Sequence, residues 1–281
     1  LKLSAEELSA GKLLPETVEL AASLIQANGY VIFEKVLPEQ LVDKLFNRYI
    51  EILEPYLEEH HDEVFNPKNG FNDGTNHIRL YLPFEMPFID ESIIAHPFVL
   101  QVVDHLLGED SVLHYFATNT SLPGGQKCQP VHADTGAMFG DRCSVNLPIS
   151  NLVVNFPLVD THENNGPMEI WPGGTHLLPD YWYGPKSYNK NKLAEHMTSI
   201  KAFMPAGSIM IRDDRMWHRG TPNRSDQPRP NIAMIYAPKD RAPRNGGTIQ
   251  IPQETYDQLS DRAKKLLRNE KIGFAVAQPT H

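Results

Sequence analysis

The stretch Gln129-Pro130-Val131-His132-Ala133-Asp134, with His218 and Arg229 far downstream, decides how the second half of this chain is read. Side chains alternate along an extended strand, so His132 and Asp134 project to one side and Ala133 to the other. An imidazole and a carboxylate so placed can grip one ion, and a strand remote in sequence can deliver a second imidazole. Two histidines and one carboxylate occupy one face of a metal and leave the opposite positions open, the arrangement that suits non-haem Fe(II). His132, Asp134 and His218 are therefore the candidate catalytic and metal-binding residues.

Working outward from that stretch, short strands are expected at Val112 to Ser121, Val131 to Asp134, Asn151 to Val159, Met168 to Trp171, Ser208 to Arg212 and Ile232 to Ala237. Short strands with Pro and Gly punctuation after a helical run imply an α+β arrangement, an antiparallel sandwich or barrel with helices on one side. Upstream, Pro15 opens a helix whose apolar stripe is Val18, Ala21, Leu24 and Ile25, and Asn28-Gly29 stops it. Tyr30 to Val36 reads as a strand, Pro38 opens a second helix through Tyr49, and Pro97 to Leu107 is a third, closed by Gly108. The irregular stretch Asn66 to Asp90 is a candidate lid, with His77 and Arg79 placed to meet an acidic group or simply to solvate the loop. Pro179 to His196, with Tyr181, Trp182, Tyr183 and Tyr188, reads as an insertion that packs on itself or faces a substrate.

With 281 residues and 41% apolar content, one domain with elaborated loops is expected. Its parts are a helix-rich buttress and lid over 1–110, a strand-rich core over 111–240 and an extension over 241–281. The net charge of −9 is dispersed, which argues against a nucleic-acid or anionic-membrane surface and mildly for a small polar or cationic substrate. No charged-then-apolar leader or membrane-length run is read in the sequence, so a cytoplasmic location is the expectation. Cys128 and Cys143 lack the spacing of a structural zinc site. His60 and His61 lie in an acidic helix end and read as solvated.

The segments Gln129 to Asp134, Asn165-Gly166-Pro167-Met168-Glu169-Ile170-Trp171-Pro172-Gly173-Gly174-Thr175-His176, and Trp217-His218 through Arg229-Pro230 resemble the phytanoyl-CoA dioxygenase family of Fe(II)/2-oxoglutarate oxygenases, in particular its bacterial small-molecule tailoring members. The resemblance implies a double-stranded β-helix (jelly roll, cupin-like) with N-terminal buttressing helices, and Fe(II), 2-oxoglutarate and O2 as cofactor and cosubstrates. It implies oxidation, by default hydroxylation, of a C–H bond of a small-molecule metabolite with release of succinate and CO2. Asp134 is retained where related halogenases carry a small residue, so halogenation is not expected. His176 falls in a turn resembling a family element, with Gly-Gly-Thr in place of Gly-Ser, and is read as structural.

Arg229 suits the distal carboxylate of the keto acid, because a guanidinium stays charged and offers a planar fork. Asn119 stands where the resemblance places a cosubstrate-binding amide, and it shares a strand face with Tyr115 and Ala117. Gln129 and Asn155 are further candidates for cosubstrate or substrate contact, or are structural amides. Two other functions fit the metal triad alone: a zinc-type hydrolase or isomerase, and a catalytically silent cupin-like binding protein. The first gives Arg229 no task, and the second predicts loss of a ligand or of the arginine.

Overall fold

The computed structural model describes residues 1–66, 74–184, 189–242 and 249–273. Its strands, in chain order, are β1 (Tyr30–Phe33), β2 (His77–Tyr81), β3 (Ser111–Ser121), β4 (Leu152–Pro157), β5 (Met168–Ile170), β6 (Ile200–Ala202), β7 (Ile209–Asp213), β8 (His218–Gly220), β9 (Arg229–Pro238), β10 (Gln250–Ile251) and β11 (Lys271–Ile272). Six form one antiparallel sheet in the order β1-β7-β4-β9-β3-β2, and three form a smaller antiparallel sheet, β6-β5-β8. The fold is thus mixed α and β around a large antiparallel sheet.

Strand alternation gives the large sheet two unlike faces. Ile78, Leu80, Phe116, Val154, Phe156, Ile209, Ile211, Ile232 and Met234 join one apolar cluster with residues of the helices Pro15–Asn28, Glu39–Glu59 and Pro97–Leu107. Full burial of each such side chain is worth roughly 1.5–3 kcal/mol. Met210 and Ile32, on the other face, pack with Met168 of β5, so this inner face looks toward the smaller sheet. An irregularity between Leu113 and Tyr115 sets the parity in β3. The extra residue switches the alternation, so Leu113 faces the helices and Tyr115, Ala117, Asn119 and Ser121 face inward.

Helix punctuation follows the sequence closely. Pro15 occupies the first turn of Pro15–Asn28, and Gly29 ends it at φ 90°, a conformation that favours glycine. The helix predicted from Pro38 runs on to Glu59, through Pro55, because Ile52, Leu53 and Tyr56 continue its buried face. Tyr49 is fully buried, and its hydroxyl lies 2.5 Å from Thr120 Oγ1 on the helix side of β3.

One expectation needs correction. The stretch 77–81, placed in the candidate lid, is the edge strand β2, register-paired to β3 from His77↔Ser121 to Tyr81↔Ala117. With β1, which falls within the strand expected at Tyr30 to Val36, it joins the six-stranded sheet from the helix-rich part of the chain. Residues 67–73 of the candidate lid, Tyr188 of the insertion, and 243–248 and 274–281 of the extension lie outside the described residues. Among the described residues no helix is long and apolar enough to cross a membrane.

Candidate active site

His132 does not lie in a long strand; it forms a single antiparallel bridge to His218 at the start of β8, with N–H···O bonds of 3.0 and 2.9 Å in the two directions. The Asp134 amide is held by the Asp214 carbonyl at 2.9 Å. This local pairing suffices to bring the three side chains together. Asp134 Oδ1 lies 4.0 Å from His132 Nε2 and 3.5 Å from His218 Nε2, and the two rings stand 4.4 Å apart. One donor atom from each residue falls within 4.8 Å of the others.

The tautomers follow from the backbone. His132 Nδ1 faces the Pro130 carbonyl at 2.8 Å and His218 Nδ1 faces the Met216 carbonyl at 3.0 Å. A carbonyl only accepts, so each Nδ1 carries the proton and each Nε2 presents its lone pair toward Asp134 and the space between them. Burial, reinforced by the neighbouring His218, pushes His132 down to about 4, which keeps it neutral and able to ligate at ordinary pH.

Asp134 is oriented by a residue that sequence reading missed. Arg212, on the inner face of β7, donates from Nη2 to Asp134 Oδ2 at 2.5 Å and from Nε to Asn155 Oδ1 at 3.2 Å. Burial by itself would raise the Asp134 carboxyl, but the Arg212 charge outweighs it and holds the group well below the usual range. The signal was present: a lone arginine in the otherwise apolar run Ile209-Met210-Ile211, on a buried strand, needs an internal partner.

Arg229 is 6% exposed and begins β9 on the inner face. Its Nη2 donates to the Gly166 carbonyl at 2.6 Å, while its buried Nε has no partner, and no carboxylate pairs with it among the described residues. Burial lowers this guanidinium to about 10. Gly166 sits at φ 74°, and a Cβ there would collide with Ser121 Oγ, so glycine lets this carbonyl approach the arginine. His77, inward on β2, lies in the fields of both Arg229 and His132, and burial pushes it down to about 4. A Cβ on Gly220 of β8 would collide with its ring.

The amide candidates separate. Asn119 is on the inner face of β3, opposite Arg79 and Asn231. Asn155 touches the metal cluster through Arg212, its carbonyl oxygen already engaged. Gln129, read as a cosubstrate or substrate contact or as a structural amide, accepts the Gly220 N–H on Oε1 at 2.9 Å while its backbone N–H bonds the Gly220 carbonyl at 3.0 Å, the structural arrangement. It extends the pairing of β8 because the backbone there needs partners beyond the short strand. His176 is buried, with Nε2 2.9 Å from the Gln26 carbonyl, a structural tie as expected. Next to it, Thr175 Oγ1 donates to the Trp171 carbonyl and accepts the Trp217 N–H, fixing the chain just before His218. Of the insertion aromatics, Trp182 packs against Trp217, with ring centroids 6.1 Å apart, and Tyr183 donates to the Thr175 carbonyl. Cys128 and Cys143 are free thiols.

Neutral imidazoles and an ionised carboxylate fit a ferrous ion, and a buried guanidinium with an unsatisfied N–H fits the far carboxylate of a keto diacid. An antiparallel scaffold that gathers two histidines and one carboxylate is a site that could hold a metal ion. The chain belongs to the phytanoyl-CoA dioxygenase (PhyH) family, whose sequence model matches residues 25–231. It is a family of Fe(II)- and 2-oxoglutarate-dependent oxygenases. Dioxygenase af480 of Aspergillus fumigatus is 25% identical over 201 residues, 70% of this chain and 60% of the relative, so the chain spans 60% of that protein's length. Among solved structures, EvdMO1 is similar with a TM-score of 0.59 and 19% identity, covering 78% of this chain and 50% of that one. SnoN, a non-haem α-ketoglutarate-dependent epimerase from nogalamycin biosynthesis, is similar with a TM-score of 0.56 and 19% identity, covering 80% and 84%. SnoN in complex with Fe3+, α-ketoglutarate and nogalamycin RO gives 0.54 and 16%, again over 80% and 84%. At these identities the structural likeness speaks to the fold.

Proposed function

We propose that the chain is an Fe(II)- and 2-oxoglutarate-dependent dioxygenase that oxidises, by default hydroxylates, an unactivated C–H bond of a small-molecule metabolite, with release of succinate and CO2. It works as one domain on a double-stranded β-helix. The observation that carries the reading is Arg229: a buried guanidinium, with one N–H unsatisfied and no carboxylate beside it, on the same inner face as the arginine that holds Asp134. A zinc-type hydrolase gives this arginine nothing to do.

His132, Asp134 and His218 are the metal ligands in this reading, and Arg229 pairs with the distal carboxylate of 2-oxoglutarate. Bound together, the metal and the keto acid supply the activation of O2 and the oxidising equivalents for C–H cleavage. The chain's own work is positional. The carbonyls of Pro130 and Met216 hold the imidazole tautomers, Arg212 keeps Asp134 ionised and aimed, and Asn155 steadies Arg212. Asn119, inward on β3, and His77, which lies in the fields of both Arg229 and His132, are the neighbours placed to meet the cosubstrate in this reading.

The test is succinate formation from 2-oxoglutarate by the purified protein under air with Fe(II), with and without a metabolite extract. Succinate that depends on Fe(II) and O2 and rises with extract supports the reading. Its absence, with hydrolysis of an extract component under Zn(II), favours the hydrolase.

A further inference from the structure

The charged residues on the inner face of the large sheet are all arginines: Arg79 on β2, Arg212 on β7 and Arg229 on β9. Arg212 is neutralised by Asp134, and the proposed function assigns Arg229 to the cosubstrate. Arg79 is left over. It is exposed, makes no ion pair among the described residues, and its guanidinium stands 5.8 Å from the centroid of the Tyr115 ring. Tyr115 is packed edge-on against Tyr81, centroids 5.9 Å apart, and is close enough to the metal cluster that the Asp134 charge, with Tyr81, adds to the burial that raises its hydroxyl. Arg79 is also two residues along β2 from His77, which feels both His132 and Arg229. A guanidinium over the Tyr115 ring, with Tyr81 edge-on beside it and the Asp134 charge felt at the same tyrosine, sets a cation on an aromatic wall near the candidate metal cluster.

The charge sum points the same way. A ferrous dication and dianionic 2-oxoglutarate cancel, and Asp134 cancels Arg212, so the loaded cavity keeps the positive charges of Arg229 and Arg79 although the whole chain carries −9. A cationic substrate would enter against that surplus, whereas a carboxylate would offset part of it and find a planar fork at Arg79.

We propose that the site takes a small acid, its carboxylate on Arg79 and its body against Tyr115 and Tyr81, with the C–H to be oxidised on the metal-facing side. Of the small polar or cationic substrate expected from net charge, this keeps the polar reading and departs from the cationic one, because the local field and not the chain total acts on the ligand. The proposal rests on the dioxygenase reading, and its test separates the two. The protein is loaded with Mn(II) in place of Fe(II) and saturated with 2-oxoglutarate, binding of each being measured first by calorimetry. Two probes of one shape, 3-phenylpropanoate and its neutral amide 3-phenylpropanamide, are then compared by the paramagnetic relaxation of their proton resonances. The carboxylate is expected to bind about tenfold more tightly than the amide, with Arg79→Gln erasing the preference, Arg79→Lys retaining part of it, and salt weakening it. Equal relaxation of the two probes, no relaxation of either, or an undiminished preference in Arg79→Gln would overturn the proposal. Failure to bind Mn(II) or 2-oxoglutarate in the first step would overturn the dioxygenase reading itself.

Discussion

The two faces of the six-stranded sheet are built from the same strands and do opposite work. In β7, Ile209 and Ile211 point into the helices while Met210 and Arg212 point inward; in β4, Val154 and Phe156 are set against Asn155. One face is apolar and stabilises by burial. The other holds buried arginines and amides, each of which costs free energy unless paired. Stability and chemistry are thus separated by a single residue of register, and a substitution reports on one or the other according to its parity.

The largest effect expected is on the chemistry alone. His132→Ala should lower metal-dependent succinate formation by about a thousandfold or more while leaving the thermal midpoint of the metal-free protein nearly unchanged, because the ring is partly exposed and its loss opens no core cavity. A comparable fall in the midpoint would break the separation. On the opposite face, Phe156→Ala should destabilise by about 3–5 kcal/mol in denaturant titration, with cosubstrate affinity of the folded protein preserved. Arg229→Ala should leave iron content intact and raise the 2-oxoglutarate requirement by roughly ten- to a hundredfold, read from initial rates. Equal loss of iron in this variant and in His132→Ala would contradict the division of roles. Arg212→Gln, which acts through Asp134, should weaken metal affinity by about tenfold or more in a chelator competition.

The smallest effect expected is on pH. Burial holds His96, on the helix side, down to about 4. Its folded value lies below its unfolded one, so the unfolded chain binds more protons between the two, and stability is full above the ordinary imidazole range and declines as pH falls toward 4. His96→Gln should flatten part of that acid limb in pH-dependent denaturation. An unchanged slope would show that His96 carries none of it.

How much of this was legible in the sequence depends on where punctuation and alternation survive. Pro15, Gly29 and Gly108 mark helix ends at the residues where the structure puts them. The triad and Arg229 stood out because chemistry-bearing residues recur around recognisable turns. Strands β4, β7 and β9 are buried almost throughout, covered by helices on one side and facing inward on the other, so polarity alternates only weakly and Arg212 escaped notice. Strand β2 was hidden in an Asn-, Gly- and Pro-rich stretch, since a short edge strand carries few residues with which to show a period. The irregularity beside His114, which turns Tyr115 inward, leaves no mark in composition. Gln129 left a contact and a structural role equally open in the sequence, because an amide beside the metal stretch can serve either; its side-chain oxygen accepts from the backbone of β8.

The most direct measurement is an anaerobic calorimetric titration of 2-oxoglutarate into the protein with and without one equivalent of Fe(II), in the wild type and in Asp134→Ala, His218→Ala and Arg229→Ala. One metal per chain is predicted, with 2-oxoglutarate binding far more tightly to the metal-loaded protein, tight metal binding lost when His218 is removed, and the cosubstrate heat collapsing in Arg229→Ala while the metal stays bound. Cosubstrate binding that ignores the metal, or metal binding unaffected by the loss of both Asp134 and His218, would contradict a ferrous centre gathered by these three side chains.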